Sequence, residues 1–109
     1  MTFEPSIAPS LQPSLARVLD PEIGINIVDL GLVYLAQERD RHIDVQMTLT
    51  SRACPMGRLV IDEVRDQVAS DFPAAVTVNI ELVWDPPWNP DFINDAGRRA
   101  LGRQPKGNF

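Results

Sequence analysis

Ile43-Asp44-Val45-Gln46-Met47-Thr48-Leu49-Thr50 is the stretch that decides the fold. Apolar and polar residues alternate along it without a break, the period of a strand with one buried face. Upstream, Leu32 to Glu38 reads as another strand, and the charged Arg39-Asp40-Arg41 between the two marks a hairpin. Downstream the period changes. Over residues 55–70, Val60, Val64 and Val68 fall on one helical stripe while Asp62, Arg65 and Asp66 lie elsewhere. Val76, Val78, Ile80 and Leu82 then alternate with Thr77, Asn79 and Glu81 as a further strand. Strand, helix and strand across residues 42–83 make a crossover, right-handed if its strands are parallel.

Farther out, Leu11, Leu15, Val18 and Leu19 recur at helical spacing and predict a helix over residues 10–19. Asp20-Pro21 ends it, because the residue before a proline is pushed out of the helical region. Residues 1–9 read as a flexible leader, residues 102–109 as a flexible basic tail, and Asp91 to Leu101 as a last short helix. The expectation is one α+β domain over residues 10–101, built in two layers, with a small mixed sheet of three strands carrying its helices on one face.

A chain of 109 residues has room for one core, and 44% apolar with 23% charged residues is ordinary for a globular protein. Net charge is −5; residues 1–90 hold 6 Lys/Arg against 13 Asp/Glu, and residues 91–109 hold 4 against 2. An acidic body argues against nucleic acid as a partner, since phosphates require a basic face. No apolar run approaches the ~18–20 residues of a membrane span, and the N-terminus lacks a signal-peptide pattern. One cysteine cannot form an internal disulfide, so a reducing, cytoplasmic setting is expected.

That cysteine, Cys54, lies in Thr50-Ser51-Arg52-Ala53-Cys54-Pro55, between a strand and the central helix. Pro55 suits the first helical position, where a missing N–H costs nothing, which puts Cys54 at or near the N-cap. Unpaired N–H groups and the positive end of the helix dipole would there favour the thiolate, the form that attacks electrophiles and binds soft metals. A buried small residue filling a loop is the competing reading. Residues 20–31, Asp-Pro-Glu-Ile-Gly-Ile-Asn-Ile-Val-Asp-Leu-Gly, are apolar yet carry Asp20, Glu22 and Asp29. Asp20 fits a turn cap. Asp29, between Val28 and Leu30, requires a partner: it belongs either to a site or to a tight turn beside Gly31. Trp84-Asp85-Pro86-Pro87-Trp88 is a stiff aromatic loop, suited either to partner binding through Trp84 and Trp88 or to covering the core. His42 lies at the far end of a strand from Cys54, roughly 25 Å away at about 3.3 Å per residue, which argues against a Cys–His dyad. No Walker loop, Gly-rich dinucleotide turn or Cys-x-x-Cys is present.

Asp20 to Tyr34, Met47-Thr-Leu-Thr-Ser51 with Cys54-Pro55, and Glu81-Leu-Val-Trp-Asp-Pro-Pro-Trp88, taken in that order, resemble the SufT/PaaD-like family of metal–sulfur cluster biosynthetic proteins. The resemblance spans residues 10–101. It implies a compact α+β fold, a reactive Cys54, and a role in delivering or maturing iron–sulfur clusters together with scaffold, carrier or client proteins. Glu22 and Asp29 fall within the first motif and are carried over, with Cys54, as candidate metal ligands. Two departures stand out: Arg52-Ala53 occupy the place where the family commonly has Pro-Gly, and the additional C-terminal cysteines of the longer phenylacetate-linked members are absent.

Iron–sulfur clusters are usually held by about four thiolates. One cysteine per chain therefore fits a transient iron, sulfur or cluster handover better than storage, and no tightly bound cofactor is expected; two chains pooling Cys54 in a homodimer is one way to complete a shell. This reading favours an assembly factor over a turnover enzyme. The alternative is an adaptor without chemistry, binding through Trp84 and Trp88. A Cys54 thiolate poised by the helix predicts alkylation by iodoacetamide at neutral pH faster than free cysteine; alkylation no faster than free cysteine would remove the basis for a reactive thiol.

Overall fold

The structure, a computed structural model, describes residues 4–50 and 57–102. The three expected strands are present as Val33–Arg39 (β2), His42–Met47 (β3) and Thr77–Leu82 (β4). A fourth, Ser6–Ile7 (β1), precedes them and corrects the expected count of three. It comes from the stretch read as a leader: Ser6 pairs with Leu35 and Ile7 with Ala36, in parallel register. Two residues are too few to display a period, so this strand is visible only through the neighbour it pairs with.

Strands β2 and β3 form the anticipated hairpin, running antiparallel from Val33↔Met47 to Arg39↔His42. Asp40 and Arg41 make the loop, with φ of 51° and 66°. A two-residue hairpin loop of type I′ takes positive φ at both positions, which matches the twist of its strands. Aspartate tolerates this region, but arginine pays a steric cost there. Strand β4 pairs in parallel with β3, from His42↔Thr77 to Met47↔Leu82, so the crossover joins parallel strands. The intervening helix, Gly57–Asp71 (α2), buries Val60, Val64 and Val68 as its stripe predicts. Residues 55 and 56 of the expected helix lie outside the described residues. Val76 precedes β4 rather than opening it and is 58% exposed.

The N-terminal helix is much shorter than the expected 10–19, covering only Gln12–Leu15 (α1). Val18 N–H already bonds Leu15 C=O, a tighter i−3 turn, and Leu19 pairs with Asn26 in an isolated antiparallel bridge. Leu11, Leu15 and Val18 reach the core, whereas Leu19, 50% exposed, does not. The last expected helix is divided: a 3₁₀ turn at Pro90–Phe92, then Asp95–Gly102 (α3).

One cluster unites Leu11, Leu15, Ile27, Ile43, Val45 and Val64, so α1, α2 and one face of the sheet share a core. The opposite sheet face is polar: Gln46 reaches Glu81 at 3.1 Å and His42 reaches Thr77 at 2.8 Å across the β3–β4 pair. This is a small α+β domain with a mixed four-stranded sheet. No helix among the described residues is long and apolar enough to cross a membrane. Relieving the strain in the hairpin loop gives a direct check on the geometry: Arg41→Gly is expected to raise unfolding free energy by about 0.5–1 kcal/mol in urea titration, and a loss of stability would contradict the loop assignment.

Candidate functional site

The apolar segment with three carboxylates folds as two successive turns. In the first, Asp20 Oδ1 accepts the backbone N–H groups of Glu22 (2.8 Å) and Ile23 (3.1 Å). Asp20 C=O accepts Gly24 N–H, and Asp20 N–H donates to Ile25 C=O. The carboxylate, only 7% exposed, therefore serves as the turn cap that its sequence position suggests. Glu22 stands exposed on the outside of this turn.

The second turn is built on Asp29. Asn26 Nδ2 donates to Asp29 Oδ2, and Asp29 N–H donates back to Asn26 Oδ1, both at 2.9 Å. The other oxygen, Oδ1, accepts from Asn94 Nδ2 at 2.8 Å, a residue 65 positions away. Asn94 N–H donates to Asp29 C=O at 3.0 Å, and Asn94 Oδ1 in turn caps α3 by accepting Gly97 N–H at 2.8 Å. Two glycines permit this docking. Gly31 has φ of 77° and faces the Phe92 backbone, where a Cβ would collide, and a Cβ at Gly97 would meet Asp29 C=O at 2.7 Å.

The aromatic loop is fastened to the same turn. Trp88 donates its indole N–H to Leu30 C=O at 2.8 Å and packs, half-buried, against the core. Tyr34 donates its O–H to Pro86 C=O at 2.7 Å and meets Phe92 edge-to-face at 6.1 Å. Burial pushes the Tyr34 phenol up, with the Thr48 hydroxyl pulling it the other way. The indole bond to Leu30 holds the Trp88 ring against the core.

Trp84 lies elsewhere. It walls a cavity of about 340 Å³ between α2 and the end of β4, together with Leu49, Ile61, Leu82, Arg58 and Arg65. Leu49 and Arg58 border it from either side, in sequence, of the segment that contains Cys54. Cys54 itself is outside the described residues; among the other site candidates, the structure brings Asp29 and Trp88 together through Leu30. Among the described residues, no group of three or more His, Cys, Asp or Glu is placed to hold a metal ion. Sequence reasoning missed Asn26 and Asn94. Asn94, directly before Asp95-Ala-Gly-Arg, carries a helix N-cap signal that could have revealed one of them.

Comparison with known proteins places this geometry in context. The family model described as "Iron-sulfur cluster assembly protein" matches residues 11–82. The chain is 44% identical over 86 residues to the Fe-S protein maturation auxiliary factor SufT of Staphylococcus aureus, covering 78% of this chain and 97% of that one. It is 37% identical over 103 residues to the Fe-S protein maturation auxiliary factor YitW of Bacillus subtilis, covering 94% and 100%. A solved domain of unknown function from Bacillus anthracis superposes with a TM-score of 0.82 at 33% identity, over 86% of this chain and 90% of the other. A conserved hypothetical protein from Thermotoga maritima follows at 0.73 and 29% identity, over 91% and 98%.

Charge-assisted bonds to a half-buried carboxylate contribute about 1.5–3 kcal/mol each. Asp29→Ala is therefore expected to lower unfolding free energy by about 2–3 kcal/mol and to shift tryptophan emission to the red as Trp88 loosens. An unchanged denaturation midpoint would show that the Asn26–Asp29–Asn94 bonds do not support the fold.

Proposed function

The chain belongs to the iron–sulfur cluster assembly protein family, and on that premise we propose that it is an accessory factor in iron–sulfur protein maturation. In this reading Cys54 takes up iron or an iron–sulfur cluster transiently and hands it on. The observation that carries the proposal is the match, over nearly the whole length of each, to two relatives named as Fe-S protein maturation auxiliary factors. The chemistry of the chain supports it. Cys54 is the only sulfur nucleophile in the sequence and precedes Gly57, the first described residue of α2, by three positions. A helix start supplies unpaired N–H groups and positive dipole charge, which favour thiolate over thiol.

The cluster is cargo here. Handover is a ligand exchange: the Cys54 thiolate displaces a donor's ligand on iron, and a client thiolate later displaces Cys54, with no change in oxidation state. Because a cluster takes about four thiolates, one cysteine leaves most of the shell to scaffold, carrier and client proteins, or to a second copy of the chain. That incomplete shell favours transfer over retention. Glu22, exposed on the Asp20 turn, is the carboxylate assigned to iron in the same reading. Asp29 is given an orienting role, since each of its oxygens already accepts an asparagine amide hydrogen and ligation would compete with those bonds.

In a cell that depends on the protein, Cys54→Ser is expected to reduce the activity of iron–sulfur enzymes to the level of a deletion while leaving the melting temperature of the purified chain unchanged. Full enzyme activity with this variant would refute the thiol's role. Unimpaired enzymes in the deletion strain would refute the maturation role itself.

A further inference from the structure

The cavity between α2 and the end of β4 has a composition that the handover does not use. Its floor and wall are apolar, formed by Leu49, Ile61, Leu82 and Trp84. Its rim carries Arg58, Arg65 and Asp62, all exposed. Arg65 is 3.2 Å from Asp62 on the same helix, a solvent-exposed pair of little energetic weight. Arg58 makes no ion pair among the described residues. The rim is thus net positive on a body in which residues 1–90 hold 13 Asp/Glu against 6 Lys/Arg. Tryptophan and arginine around an apolar floor are the side-chain types that carry binding energy at protein interfaces.

We propose that this groove docks an acidic peptide segment of a partner protein, with an aliphatic or aromatic side chain of that segment seated on Leu49, Ile61, Leu82 and Trp84 and its carboxylates on Arg58 and Arg65. Charge complementarity selects the occupant. A basic segment would meet the two guanidinium groups, and a neutral one would offer Arg58 no counter-charge. Two copies of this chain, each with a net charge of −5, repel one another as whole molecules, which disfavours self-association. The inference names a partner-recognition surface for the maturation role proposed above, but it requires neither a cluster nor Cys54.

The test selects random dodecapeptides displayed on phage against the full chain, with counter-selection on an Arg58→Glu/Arg65→Glu variant. Both substitutions are at exposed positions and leave the core intact. Expected survivors carry Asp or Glu flanking Leu, Phe or Trp. Their synthetic peptides should bind the wild type, and bind the variant at least about tenfold more weakly. Affinity should fall as salt rises, and amide shifts should cluster on Leu49, Arg58, Ile61, Leu82 and Trp84. Cys54→Ser should bind these peptides as the wild type does, which separates a failure of the groove from a failure of the handover. Enrichment of basic or uncharged peptides, no enrichment over the counter-selected variant, or shifts mapping elsewhere would overturn the proposal.

Discussion

A carboxylate placed between two apolar residues must find hydrogen-bond donors or leave the interior, and the C-terminal half of this fold is organised around how Asp29 meets that requirement. Its two oxygens accept one amide from Asn26 within its own turn and one from Asn94 across the fold. The first bond shapes the 26–31 turn. The second fastens α3 to it through the residue that also caps that helix. Trp88 then closes over the core by bonding the carbonyl of Leu30, the next residue in the turn. A single ionised group thereby fixes the relative positions of a loop, a helix and an aromatic lid.

The division of labour among the acidic residues follows from this. Asp20 and Asp29 resemble one another in sequence context, each near a glycine turn, and each is consumed by local hydrogen bonds. Only Glu22 among the three projects from the surface of that segment. The hydrogen bonds that hold Asp20 and Asp29 in their turns are ones that metal ligation would have to break. The groove beside α2 offers the complementary property, a cationic and apolar surface on an otherwise acidic molecule.

The elements most legible in the sequence are those with a sustained period. The alternation in His42–Met47 and Thr77–Leu82 and the valine stripe of Gly57–Asp71 identify β3, β4 and α2, because one-sided burial imposes those periods. Ser6–Ile7 was illegible because a two-residue strand exists only through pairing with Leu35 and Ala36. Leu19 matched the helical stripe of α1 yet left it, since the turn before Pro21 and the bridge to Asn26 outweigh four residues of helix propensity. The resemblance to a family was carried by three motifs and agrees with the family match over residues 11–82. What no local pattern could show is convergence: Asn94 meeting Asp29 across 65 positions, and Arg58 and Trp84 reaching one cavity from a helix and a strand end. The placement of Cys54, expected at the start of α2, lies outside the described residues.

The central claim is that this chain accelerates cluster transfer through one thiolate. Its most direct measurement is anaerobic: iron, sulfide and an apo-ferredoxin acceptor are mixed with the wild type or with Cys54→Ser, and holo-acceptor formation is followed by absorbance alongside native mass. The account predicts faster acceptor filling with the wild type, an iron–sulfur adduct that rises and decays on it, and neither effect with Cys54→Ser. Equal rates for the two proteins, or a wild type that speeds nothing, would contradict it.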